Sequence, residues 1–336
     1  MIKEAMLYEK LSGGNVRCHL CGHKCKIAPT KRGICGVREN REGILYSLIY
    51  GMVAAENVDP IEKKPLFHVY PGSKSLSVST VGCNFSCAFC QNSDISQMPR
   101  DMGEIRGRKI TPDEIVESAV TTGSETIAYT YTEPTVFFEF AYDIGRTAHD
   151  RGIKNVFVTN GFMTVEAIDK ISPYLDAANV DLKSFSDDFY RKICGGRLSP
   201  VLNSIRKMKD LGIWVEVTTL IIPTLNDGDE ELRQIAEFIL SVGAEVPWHI
   251  SRFHPTYKMV NLPATPVETI RRAVKIGKES GLRYVYSGNV PGDVGENTYC
   301  HNCGNLLISR DGFYVNSINL QESRCPKCNT PLDGIL

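Results

Sequence analysis

Eleven of the twelve cysteines in this 336-residue chain fall into three short-range groups. The central group is Cys83, Cys87 and Cys90, in Thr80-Val-Gly-Cys-Asn-Phe-Ser-Cys-Ala-Phe-Cys-Gln91, directly after a strand-like run. Three thiolates at this spacing can wrap a cubane iron–sulfur cluster and leave its fourth iron without a protein ligand. An open iron is a place where a small molecule can bind and react. The alternative is a zinc knuckle, but a closed structural zinc site takes four ligands, and no fourth is evident nearby.

The other two groups stand near the chain ends. Cys18-His-Leu-Cys21-Gly-His-Lys-Cys25 is followed by Cys35. Four cysteines so close predict a small metal lobe holding either zinc, with His19 or His23 as a substitute ligand, or an auxiliary iron–sulfur cluster; spacing does not separate the two, and zinc is the slightly favoured reading. At the other end, Cys300-His-Asn-Cys303 and Cys325-Pro-Lys-Cys328 flank a turn at Arg310-Asp-Gly312, which predicts a zinc ribbon. Its default role is to staple a lobe with too little core to fold alone. Cys194, before Gly195-Gly196, has no group and reads as an ordinary thiol.

Between the metal lobes the pattern alternates. Strand-like runs begin near Ser75, Thr126, Asn155, Ala178, Trp214, Trp248 and Arg283, and helix-like segments separate them. Thr111-Pro112-Asp-Glu114 and Thr265-Pro266-Val-Glu268 both read as capped helix starts. Pro200–Leu211 reads as a helix capped by Ser199, and another helix is expected from about Thr135. Residues 46–74 read as a connector punctuated by prolines, with Lys63-Lys64 on its surface. Alternation at this spacing predicts an α/β fold with a parallel sheet, in six or seven units, and so a partial (β/α)6-type barrel. The expected organisation is a cysteine-rich lobe and connector at 1–74, the barrel at 75–295 and the ribbon at 296–336.

In such a barrel the functional groups collect where strands end. Polar residues stand there: Thr130-Tyr131-Thr132-Glu133-Pro134, then Thr159-Asn160-Gly161, then Asp181-Leu-Lys183, then His254. Asp181 and Lys183 share a face if the strand continues. Glu216 and Thr218 are placed to project into the barrel.

The cysteine loop resembles the signature of the radical S-adenosylmethionine (SAM) enzymes, whose open iron chelates SAM. That resemblance places Phe89 against the adenine. It also assigns SAM contacts to Tyr131, Thr132 and Glu133, where the family carries a Gly-Gly-Glu-like motif and this chain has replaced both glycines. Thr159, Asn160, Asp181, Lys183 and His254 follow from the motifs of pyruvate formate-lyase activating enzymes. Those activases lack the two outer cysteine groups. With Gly33-Ile-Cys-Gly-Val-Arg38 and Cys303-Gly-Asn-Leu-Leu-Ile308 included, the whole chain resembles the radical SAM member of the AmmeMemoRadiSam system. The resemblance implies a [4Fe–4S] cluster, SAM and zinc. As partners it implies an electron donor of the flavodoxin or ferredoxin type, with Memo-like and AMMECR1-domain proteins. The expected reaction is reductive cleavage of SAM to a 5′-deoxyadenosyl radical that abstracts hydrogen from an unidentified substrate. Activation of a glycyl-radical partner enzyme is the alternative.

A different class, an RNA- or protein-binding zinc-ribbon module, draws on the N-terminal charge: residues 1–40 carry eight Lys or Arg against three Glu. The net charge of −1 speaks against a large polyanion footprint, which needs many phosphate contacts. The N-terminus has no apolar signal core, and no run of eighteen apolar residues appears, so a cytoplasmic protein is expected. Paired cysteines in a chain of this length suit metals in a reducing compartment better than disulfides.

Overall fold

The computed structural model describes residues 2–290 and 292–336. Its centre is an eight-stranded sheet: β1 (Ala55–Pro60), β2 (Lys74–Ser79), β3 (Thr126–Tyr129), β4 (Lys154–Thr159), β5 (Ala177–Asp181), β6 (Trp214–Ile221), β7 (Trp248–Arg252) and β8 (Val285–Gly288). Spatial order follows chain order from β1 to β8. The pairs from β2 to β8 are parallel, and β1 runs antiparallel at the edge. Six helices make the crossovers: α1 (Pro112–Thr122), α2 (Phe138–Asp150), α3 (Val165–Ile171), α4 (Leu198–Asp210), α5 (Asp229–Val242) and α6 (Val267–Glu279). The expected partial barrel is therefore present, with a seventh parallel strand closing the series.

The strands are buried on both faces, as parallel strands under crossover helices must be. β3 is buried throughout, and β5 at all positions but its last. The helices bury one stripe each. In α6 the stripe is Thr269, Ile270, Ala273, Ile276 and Gly277, at the three-to-four spacing of a helix face. Gly277 is required there, because a Cβ would lie 2.9 Å from the Trp248 ring.

The connector is not a loose one. It supplies β1 to the sheet, and residues 65–68 then enter the barrel. Asn179 Nδ2 donates to Pro65 O at 2.7 Å, and Glu216 accepts from the Phe67 and His68 N–H groups at 3.0 and 2.9 Å. His249 Nε2 is 2.6 Å from the same carboxylate. Burial opposes the Glu216 charge, but these partners outweigh it and hold its pKa below the ordinary value. Lys64, expected on the surface, is 1% exposed and 2.6 Å from Asp59 on β1. A lysine can be buried only with such a partner.

Helix starts differ from expectation where tertiary groups replace local caps. Thr111 forms the full capping box with Glu114. Thr265 does not cap α6. It accepts from Phe253 N and donates to Ile221 O, joining the ends of β6 and β7. α4 begins at Leu198, ahead of Ser199, because Asp187 accepts the Leu198 N–H at 3.0 Å from outside the helix. A 3₁₀ turn at Pro134–Phe137 precedes α2.

The N-terminal lobe holds two three-stranded antiparallel sheets. It is tied to α2 by Arg38, whose two terminal nitrogens donate to Glu139 at 3.0 and 2.7 Å with both side chains buried. The C-terminal lobe is a three-stranded antiparallel sheet docked on Phe67, Tyr284 and Tyr286. Among the described residues, no helix is long and apolar enough to cross a membrane.

Candidate active site

At the C-terminal ends of the strands the barrel opens into a cavity of about 510 Å³. Ligand pockets of this size accept a nucleoside-sized molecule. Cys83, Cys87 and Cys90 line it together with Phe89. The loop that carries them needs Gly82 at φ +100°, where a Cβ would meet Val37 at 2.8 Å. Two of its N–H groups are caught from outside: Ser86 N donates to Cys194 O at 2.8 Å and Ala88 N to Ile193 O at 3.1 Å.

Cys194 is therefore more than a leftover thiol. Its thiol is fully buried beside Cys87 and, with Lys183 assisting, holds the Cys87 pKa below the ordinary value. Burial pushes the Cys194 thiol up. The two glycines after it let the chain close on the loop. A Cβ on Gly195 would lie 2.5 Å from Ser86 Oγ, and one on Gly196 would lie 2.2 Å from the Phe85 ring. The Gly-Gly pair was the sequence signal for this contact. Burial raises the pKa of Cys83 and Cys90.

The strand-end residues surround these thiols. Tyr131 occupies the first glycine position of the expected motif and takes the conformation a glycine would, φ +63°. That costs about 1–2 kcal/mol in a residue with a Cβ. The hydroxyl of Tyr131 is held by Asp59, and Asn57 Nδ2 donates to it at 3.3 Å. From the cysteine loop, Asn92 Nδ2 donates to Tyr131 O at 2.8 Å. Lys64 Nζ stands 4.8 Å over the Tyr131 ring, and burial pushes its pKa down to about 8 although Asp59 opposes the shift.

Glu133 lies at the cavity wall, but its carboxylate is already engaged. It accepts from Thr135 N and Oγ1, Thr159 Oγ1 and Asn160 N, all between 2.6 and 3.1 Å. Its side chain thus ties the β3 and β4 ends together. Asn160 Nδ2 reaches Asn84 Oδ1 at 2.7 Å and Cys83 Sγ at 3.8 Å. Lys183 Nζ donates to Asp181 at 2.8 Å and stands 5.7 Å from the Phe89 ring. Burial works against the Lys183 charge, yet Asp181 and the nearby thiols raise its pKa well above the ordinary value.

Two expectations fare differently. Thr218 lines the cavity, and Glu216 is committed to the connector instead. His254 is exposed and is not part of the cavity wall, because the chain has turned away after β7. Several contributors were not foreseen, among them Lys64, from the connector, and Phe313, from the turn of the C-terminal hairpin.

The residues present fit an iron–sulfur cluster with a polar ligand. Three thiols face one cavity, and Thr218 Oγ1 is buried at its wall without a hydrogen-bond partner. An orphaned buried hydroxyl marks a missing partner. Away from this cavity, the Sγ atoms of Cys300, Cys303, Cys325 and Cys328 lie within 4.8 Å of one another and could hold a metal ion.

Comparison with known proteins agrees with this geometry. The profile of the radical SAM superfamily matches residues 77–239. The uncharacterized protein MJ0808 of Methanocaldococcus jannaschii is 49% identical over 338 residues, spanning 100% of both chains. The pyruvate formate-lyase-activating enzyme of Clostridium pasteurianum is 23% identical over 62% of this chain and 92% of its own. A crystal structure of a radical SAM methyltransferase from Sphaerobacter thermophilus shares the fold, with a TM-score of 0.52 and 20% identity over 70% of this chain and 71% of that one.

Proposed function

Since the chain belongs to the radical SAM superfamily and is related to the pyruvate formate-lyase activating enzymes, we propose that it cleaves SAM reductively and abstracts hydrogen from a substrate held in the same cavity. The observation that carries this reading is the opening of Cys83, Cys87 and Cys90 into one cavity with the Asp181–Lys183 pair. Held by Cys83, Cys87 and Cys90, a [4Fe–4S] cluster would supply one-electron reduction of SAM at this site.

The chain's own residues bind and orient. Cys83, Cys87 and Cys90 hold the cluster, and Phe89 offers an apolar face beside Lys183. Asp181 accepts from ribose hydroxyls, while Lys183 faces a carboxylate. Thr218 Oγ1 supplies one further hydrogen bond. The backbone at Tyr131 and Thr132 takes the place of the family's glycines, and Glu133 positions Thr159 and Asn160. The mixed wall formed by Lys64, Tyr131 and Phe313 faces the substrate side.

The motifs in both outer cysteine groups underlie placing the chain in the AmmeMemoRadiSam group, with zinc in the ribbon; Memo-like and AMMECR1-domain proteins as partners follow from that resemblance alone. The likeness to activases favours a second substrate class, a glycine on a partner protein. A stable glycyl-radical EPR signal on a co-purified partner is the result that would select it.

Anaerobically reconstituted protein given dithionite and SAM is expected to form 5′-deoxyadenosine. Cys83→Ala should reduce the product to background. As much product from the variant as from wild type would sink the assignment.

A further inference from the structure

Cys18, Cys21, Cys25 and Cys35 all border one cavity whose walls include Leu20, Ile27 and Val136. The thiols stand around this space and do not close on a point. Zn–S bonds of about 2.3 Å hold four tetrahedral sulfurs about 3.8 Å apart. The ribbon meets that condition, with Cys300–Cys328 at 3.5 Å and Cys303–Cys325 at 3.6 Å. Among the described residues, no three of the N-terminal thiols lie within 4.8 Å of one another, and neither do Cys83, Cys87 and Cys90. Ligands of a cubane bind separate irons, so they must stand wider than the ligands of a single ion. His23 adds no closer ligand through Nε2, which is 2.8 Å from Asn84 O.

An independent observation concerns two hydrogen-bond donors. Arg38 and Asn84 both border the cavity. The terminal nitrogens of Arg38 are taken by Glu139, while its buried Nε has no partner. Asn84 accepts from Asn160 through Oδ1, while its buried Nδ2 has no partner. An unpaired buried donor is costly, so two at one cavity call for an acceptor inside it. Neither nitrogen hydrogen bonds to any of the four thiols. A zinc ion brings no acceptor of its own, whereas a cubane brings sulfides, which commonly accept N–H groups.

We propose that Cys18, Cys21, Cys25 and Cys35 bind a second cubane iron–sulfur cluster, with Arg38 Nε and Asn84 Nδ2 donating to its sulfides. Four thiolates leave no open iron, so this site holds charge and does not bind substrate. It stands directly behind the catalytic loop: a Cβ on Gly82 would lie 3.4 Å from Cys35 O, and Asn84 follows Cys83 in the chain.

The test is metal, sulfide and Mössbauer analysis of the full chain prepared without oxygen, beside the triple variant Cys83→Ala/Cys87→Ala/Cys90→Ala. Wild type should hold about eight irons and about one zinc, and the triple variant about four irons in a cubane with four cysteine ligands. The EPR signal of the reduced triple variant should not change when SAM is added. About four irons with about two zincs in wild type would overturn the proposal. So would a triple variant that is folded by circular dichroism and holds no iron. Neither result depends on 5′-deoxyadenosine formation, so the catalytic reading stands or falls separately.

Discussion

In the ribbon, each of two short knuckles places its own pair of thiols by local backbone geometry, and the hairpin between them brings the two pairs together. Gly304 and Asn329 both take left-handed φ, and their N–H groups return to Cys300 O and Cys325 O at 2.9 and 2.8 Å. In the N-terminal lobe and the catalytic loop, thiols face cavities, and distant segments hold them in place. Val37 packs on Gly82, Ile193–Gly196 closes on the catalytic loop, and Glu139 pins Arg38. A knuckle is complete within a few residues. A cavity wall is a tertiary product, and changes far from it in sequence should be felt there.

The sharpest way to break this comparison is to remove half of the ribbon. Cys325→Ser/Cys328→Ser should release one metal ion and unfold the C-terminal hairpin, since a structural zinc site contributes on the order of 10 kcal/mol to such a lobe. Iron content should stay unchanged. Parallel metal analysis and limited proteolysis check it, and loss of iron would show that the lobes are not independent.

A smaller effect is expected at Cys194, which holds the catalytic loop from behind. Cys194→Ala removes a buried atom from behind the loop, at about 1–2 kcal/mol of stability. Iron retention during gel filtration should fall, while ribbon zinc does not. Equal retention in variant and wild type would mean that the loop does not depend on its tertiary support.

The smallest effect lies where the ribbon meets the barrel. Glu296 accepts from Gly312 N at 2.8 Å, and burial raises its pKa to about 7. A carboxyl raised in the folded state binds more protons there than when unfolded. Stability is therefore greatest below its ordinary value of 4.5 and is lost as pH rises from there to about 7. Glu296→Gln keeps the acceptor and removes the charge. It should raise the melting temperature by a degree or two at pH 8 and leave it unchanged at pH 4, since 1 kcal/mol moves a large domain by about 2–4 °C.

The barrel was readable because each crossover helix has a local pattern and each strand a run of core residues. The metal groups were readable because their ligands are close in sequence. What escaped depends on partners far along the chain. Lys64 looks like surface until β1 brings Asp59 beside it. Thr265 has the local pattern of a helix cap, yet Ile221 O and Phe253 N claim its hydroxyl. His254 follows a strand, but the chain has left the cavity by then. Tyr131 shows the reverse: a motif position without its glycine keeps the glycine's backbone, because Asp59 holds the side chain.

Phe313 sits in the hairpin turn of the ribbon and also forms part of the cavity wall. The chamber that must shield a radical from water and oxygen is therefore closed in part by a residue on a lobe gathered around four cysteines that could hold a metal ion. If a metal ion holds that lobe together, a chelator that never reaches iron would still loosen the wall.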